Sequence, residues 1–127
     1  MKTNKALQAE QTKWLNAYAR RLWDSYCEIF PALVKFDCPT IKLNNRFTKT
    51  AGCNYQQENT IDLGAKFLTQ FKNTMLSVIL PHELAHQIDF NLYGESEKKC
   101  GHGKNWCIIM VKIGQEPKKY HSMELKK

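Results

Sequence analysis

At 127 residues the chain is long enough for one domain with a single core and leaves no room for a second of ordinary size. Its 43% hydrophobic and 11% aromatic content excludes a disordered polymer. Nineteen Lys and Arg against twelve Asp and Glu give a formal charge of +7, which permits contact with polyanions, yet the basic residues are scattered and form no run long enough for a nucleic-acid tail. The five cysteines, Cys27, Cys38, Cys53, Cys100 and Cys107, are odd in number, irregularly spaced and without a Cys-x-x-Cys pair. Neither a disulfide framework nor a zinc ribbon is indicated. The first residues lack the apolar stretch of a signal peptide, and the longest apolar run, Trp106 to Val111, is far too short for a bilayer span. A reduced, cytoplasmic location is expected (nucleoid-associated in a bacterium, nuclear in a eukaryote), with no membrane contact.

From about Ala6 to Phe30 the apolar residues Leu7, Trp14, Leu15, Tyr18, Leu22, Tyr26 and Ile29 recur at helical intervals, which predicts one long amphipathic helix ended by Pro31. Between about Thr40 and Leu63, Ile41-Lys42-Leu43 and Thr60-Ile61-Asp62-Leu63 alternate, with Gly52 and Asn54 as punctuation. Two or three short strands in a small antiparallel sheet are expected there. Phe67, Leu68 and Phe71 suggest a short helix, and Thr74 is a candidate N-cap for a longer one reaching about Leu92. Leu76, Leu80, Leu84 and Ile88 form its core stripe, and Pro81 predicts a kink or a missing hydrogen bond. A polar loop fills Tyr93 to Lys104, and a last helix from near Lys104 turns Trp106, Ile109, Met110 and Ile113 inward. The residues after Gly114 read as a polar, flexible tail.

His82-Glu83-Leu84-Ala85-His86 lies inside the second long helix, with its histidines off the leucine stripe. Residues four apart share a helical face at about 5–6 Å between Cβ atoms, so two imidazoles can approach one zinc ion. Glu83, one step round, is placed to take a proton from a metal-bound water, which is the role of a general base in metal-assisted hydrolysis. A catalytic zinc needs a third protein ligand and one open position. A histidine six residues after His86 is ruled out, because position 92 is Leu. Glu95 and Glu97 are available in the loop, and His102, between Gly101 and Gly103 where the backbone can approach closely, is the better candidate. Cys100 would close the shell as a fourth ligand and make the site structural. Asp89, three residues after His86, is a candidate hydrogen-bond partner for a ligand imidazole.

These residues carry a family resemblance. His82-Glu83-Leu84-Ala85-His86-Gln87, followed by Gly101-His102-Gly103-Lys104-Asn105-Trp106, resembles the SprT-like family that includes the Spartan proteases. The likeness extends upstream to Asn45-Arg46, Thr50-Ala51-Gly52 and Ile61-Asp62-Leu63, and downstream to Tyr120-His121-Ser122-Met123-Glu124-Leu125. It implies an α+β, minimal zincin-like domain over residues 1–127, with a long N-terminal helix, a small sheet, the motif helix and a C-terminal helix. It implies His82, His86 and His102 as ligands of one Zn2+ and Glu83 as the catalytic acid/base. Bacterial SprT proteins commonly add a four-cysteine zinc ribbon, whereas this sequence has no cysteine after Cys107, so the catalytic domain alone is expected.

The expected activity is that of a zinc endopeptidase on protein substrates, extending to DNA-bound or DNA-crosslinked proteins, with a monomeric chain. DNA, single-stranded or at a junction, is then a candidate partner through the basic surface, with Tyr55, Trp106 or Tyr120 as stacking groups. Trp106 is better placed as core. The competing reading is a non-catalytic, zinc-stabilised nucleic-acid-binding module, in which zinc pins the His102 loop to the helix. Glu83 favours the enzyme, since a structural site has no use for that carboxylate. Hydrolysis of a small amide is a third reading, and Arg46, Tyr93 and Tyr120 are candidates for polarising the carbonyl.

Overall fold

A computed structural model describes residues 3–94, 102–118, 121 and 123–125 of the chain. Helix α1, Asn4–Ile29, starts at Thr3, whose hydroxyl accepts from the Ala6 N–H at 3.1 Å. Its 26 residues span about 39 Å, more than a domain of this size can cover. The expected stripe is therefore buried only at its middle. Leu15, Ala19, Trp23 and Tyr26 face the core, while Leu7 and Ile29 at the two ends are 44% and 43% exposed. Ala19 escaped the sequence reading because a methyl group carries little hydropathy, yet its small size lets a neighbour come close. A 3₁₀ turn, Pro31–Lys35, follows.

The strands are β1, Thr40–Asn44; β2, Gly52–Tyr55; and β3, Thr60–Gly64, in the order β1-β3-β2. The sheet is mixed rather than antiparallel as expected. β2 pairs with β3 antiparallel across a short connection, and β1 pairs with β3 in parallel, with Ile41 opposite Ile61 and Leu43 opposite Leu63. Alternation reports which face a residue takes and says nothing of strand direction. Because the hairpin places β2 on one edge of β3, β1 has only the other edge left. The β1 backbone is in turn held from α1, where the Asn16 side chain accepts from Ile41 N–H at 2.8 Å and donates to Ile41 O at 2.9 Å.

Helix α2, Ala65–Gln70, buries Phe67 and Leu68. The chain then runs through α3, Lys72–Thr74, a π-turn, Met75–Ile79, and α4, Leu80–Tyr93. Thr74 is thus inside a helical run and caps nothing. The Leu80 N–H bonds to Met75 O, five residues back, so the ladder widens just before Pro81, which has no N–H to offer. The disturbance expected from the proline takes this form. Gly94, at φ 79°, stops α4. Helix α5, Lys104–Lys112, directs Trp106, Ile109 and Met110 inward. α4 lies between the sheet, through β2 and β3, and α5. Every residue from Leu80 to Asp89 is consequently buried. Among the described residues no helix is long and apolar enough to cross a membrane.

Candidate metal centre

Helix α4 offers three faces about 100° apart. Leu80, Leu84 and Ile88 form a fully buried apolar stripe. His82 and His86 share the second face, and Glu83 and Gln87 the third. His102 enters from the segment that leads into α5. The Nε2 atoms of His86 and His82 are 3.2 Å apart, those of His82 and His102 are 3.2 Å apart, and ligand atoms of the three residues lie within 4.8 Å of one another.

That spacing fits a metal ion. Nitrogen ligands at about 2.0–2.1 Å in tetrahedral directions stand about 3.3–3.4 Å from one another. The donor set agrees, because a neutral imidazole has one N–H and one lone pair. Three Nε2 atoms facing a common point cannot all satisfy one another by hydrogen bonds, whereas a cation between them uses every lone pair. His82 and His86 are 6% and 8% exposed, and His102 is half-buried.

Trp106 forms the wall behind the three rings. It is fully buried, stacks on His86 at 18° with centroids 5.3 Å apart, and meets His82 and His102 edge-on at 4.9 and 4.7 Å. The inward placement read from the sequence holds, and the same ring borders the site. His121 completes the surround. Its ring lies edge-on to His82 at 5.3 Å, and its buried Nε2 has no hydrogen-bond partner among the described residues. His121 lies in the Tyr120–Leu125 segment of the family resemblance, and no local pattern in the sequence signals its place beside His82.

Burial pushes the His82 pKa down to about 4, helped by His102 and His121, so its ring is neutral and able to ligate at neutral pH. Burial pushes Glu83 up to about 8, against the pull of the Asn54 backbone N–H on its carboxylate. One Glu83 oxygen lies 4.0 Å from His82 Nε2. Strand β2 comes this near because of Gly52. A Cβ there would stand 3.2 Å from Glu83 Cγ and 3.1 Å from Ile79 Cγ2.

Asp89 is buried, which raises its pKa, and no described contact joins it to the three imidazoles. Arg46 is exposed in the β1–β2 connection, Tyr93 is 58% exposed at the end of α4, and Tyr55 is 40% exposed at the end of β2. None of them has a described contact with the histidines. Glu95, Glu97, Cys100 and Tyr120 lie outside the described residues.

The model of the SprT-like family matches residues 14–125. The chain belongs to the SprT-like family. Protein SprT of Actinobacillus succinogenes is 34% identical over 92 residues, which are 72% of this chain and 52% of that protein. Protein SprT of Vibrio atlanticus is 33% identical over 92 residues, 72% of this chain and 53% of its own length. Protein SprT of Pasteurella multocida is 35% identical over 78 residues, 61% of this chain and 45% of its own. The chain therefore spans about half the length of these SprT-like relatives. No solved structure gives a significant match.

Proposed function

We propose that this SprT-like chain is a zinc-dependent endopeptidase, and that its substrates extend to DNA-bound or DNA-crosslinked proteins. The observation that carries the reading is a buried carboxylate, Glu83, 4.0 Å from one nitrogen of a convergent three-histidine cluster. His82, His86 and His102 would hold the ion, and three imidazoles suit zinc while leaving one tetrahedral position for a reactant. Zinc, when bound, supplies Lewis acidity and lowers the pKa of a coordinated water. Glu83 is the one carboxylate among the described residues set beside the cluster; a cation held there would favour its ionised form, so that it could take the proton from a water attacking the peptide carbonyl and return it to the leaving amine. The Asn54 N–H favours its charged form, and the absence of a side chain at Gly52 leaves room for its Cγ beside β2.

The DNA part of the proposal is supported by the +7 charge and by family membership. The test compares casein cleavage and self-cleavage by the zinc-loaded chain with and without single-stranded DNA, for wild type and Glu83→Gln. Cleavage by the wild type, lost in Glu83→Gln with zinc retained, is the expected result. Zinc-loaded wild type that cleaves nothing under any DNA condition would leave the zinc-stabilised nucleic-acid-binding module as the better reading.

A further inference from the structure

Gln87 stands four residues after Glu83 on the same face of α4 and is 1% exposed. Two of its three side-chain hydrogen bonds fasten the helix to the β2–β3 hairpin, and the third stays within α4. Nε2 donates to Gln56 O at 3.2 Å and to Asn91 Oδ1 at 2.9 Å, and Oε1 accepts from Asn54 Nδ2 at 2.8 Å. The orientation is unambiguous, because the Gln56 carbonyl accepts only and therefore demands the nitrogen on its side. Asn54 Nδ2 also reaches Thr60 O at 3.3 Å, which ties the same amide to β3. The Asn54 backbone N–H faces the Glu83 carboxylate and favours its charged form, and two residues earlier on the same strand Gly52 passes close to Glu83 Cγ. One residue, Asn54, is thus gripped through its side chain by Gln87 and faces Glu83 through its backbone.

We propose that Gln87 is a positioning residue for Glu83, keeping the Asn54 N–H on the carboxylate so that Glu83 faces the histidine cluster in one direction. The role rests on the peptidase reading above. Among the described residues β2 is an edge strand, with β3 on one side and no strand on the other. An edge residue is free to shift unless something outside the sheet ties it, and Gln87 supplies that tie. Without it Asn54 moves with the hairpin, and the carboxylate regains rotamers that point away from the cluster.

The test uses the full zinc-loaded chain carrying Gln87→Met, which keeps side-chain length and removes all three bonds, Asn54→Ala, which keeps the backbone N–H, and the pair together. Peptide cleavage is followed as kcat and KM, zinc affinity by chelator competition, and the Asn54 amide by hydrogen exchange. The expected result is a kcat lower by about 10–100-fold, the scale set by a misplaced catalytic group, with KM and zinc affinity within about twofold. Asn54 amide exchange is expected to speed up at least about tenfold in Gln87→Met, as local opening becomes easier. The double variant is expected to be no worse than the poorer single one, since both cut the same link. An unchanged kcat, an unchanged Asn54 exchange rate in Gln87→Met, or a loss expressed in KM or zinc affinity overturns the proposal. If Gln87→Met does not fold, Asn54→Ala decides on the same kcat criterion. A wild type that binds zinc and cleaves nothing removes the peptidase reading and this role with it, while the exchange measurement still shows separately whether the grip exists.

Discussion

The two functional faces of α4 are held by different means. Toward α5, His82 and His86 meet His102 and Trp106 through ring contacts and through nitrogens that converge without being able to satisfy one another. Toward β2, Gln87 is fastened by directional hydrogen bonds to the hairpin, and Glu83 faces the Asn54 backbone N–H. The first face is an arrangement that a cation would complete. The second is complete without one, because its partners are all in the chain. The three imidazoles and the carboxylate proposed as general base, close in sequence, are therefore supported by separate parts of the fold.

The largest effect should come from breaking the first face. His102→Ala is expected to abolish zinc-dependent cleavage and to lower zinc affinity by more than the roughly 10–100-fold that loss of an outer-shell partner costs. Competition with a chromogenic chelator measures it, and wild-type affinity would remove His102 from the site. Glu83→Gln should cut kcat by about 10²–10⁴-fold, the range of general acid–base catalysis, with zinc content unchanged. Loss of the metal along with activity would mean that the two faces are not independent.

Two substitutions probe packing. Trp106→Ala should cost about 3–5 kcal/mol of stability, as for other fully buried tryptophans, and loosen zinc by removing the wall behind the three rings. Urea unfolding with and without zinc reads both effects. Gly52→Ala should cost about 1–3 kcal/mol, since its methyl group meets Glu83 and Ile79 at 3.1–3.2 Å. Activity should fall with it, because β2 must move off Glu83. An alanine variant of wild-type stability and rate would show that the approach of β2 is not needed.

The smallest effect is a pH slope in the metal-free chain. Glu83 titrates at about 8 when folded and near 4.5 when unfolded, so the folded state binds the extra proton between those values and stability falls as pH rises through them. His82 titrates at about 4 when folded and near 6.5 when unfolded, so stability falls as pH drops from 6.5 toward 4. The two slopes oppose below pH 6.5, and Glu83 acts alone of the pair from 6.5 to 8. Metal-free wild type should lose stability across that upper window by at most about 1.4 kcal/mol per pH unit. Glu83→Gln should be flat there, and urea midpoints in excess chelator at pH 6.5, 7.2 and 8 decide it.

Much of the histidine cluster and its neighbouring carboxylate was legible because the signals are short-range. His82, Glu83 and His86 lie within five residues, and helical spacing alone places two of them on one face and the third on the next. His102 was reached through its glycine neighbours and the chemistry of a three-ligand site. The double duty of Trp106, the placement of His121 beside His82, and the grip of Gln87 on Asn54 were not legible. Each depends on residues 20 to 39 positions apart meeting across elements, and periodicity within one element carries no information about that.

By itself, the sequence determined the elements, their buried stripes, family membership and the pairing of two imidazoles with a carboxylate on one helix. These follow from local backbone geometry and hydropathy, which act over a few residues. Only the tertiary structure decided that β1 runs parallel to β3, that Pro81 is met by a π-turn, and that β2 lies close beside Glu83. Strand direction, closeness and hydrogen-bond partners are properties of chain closure, set when distant segments compete for the same space in one core.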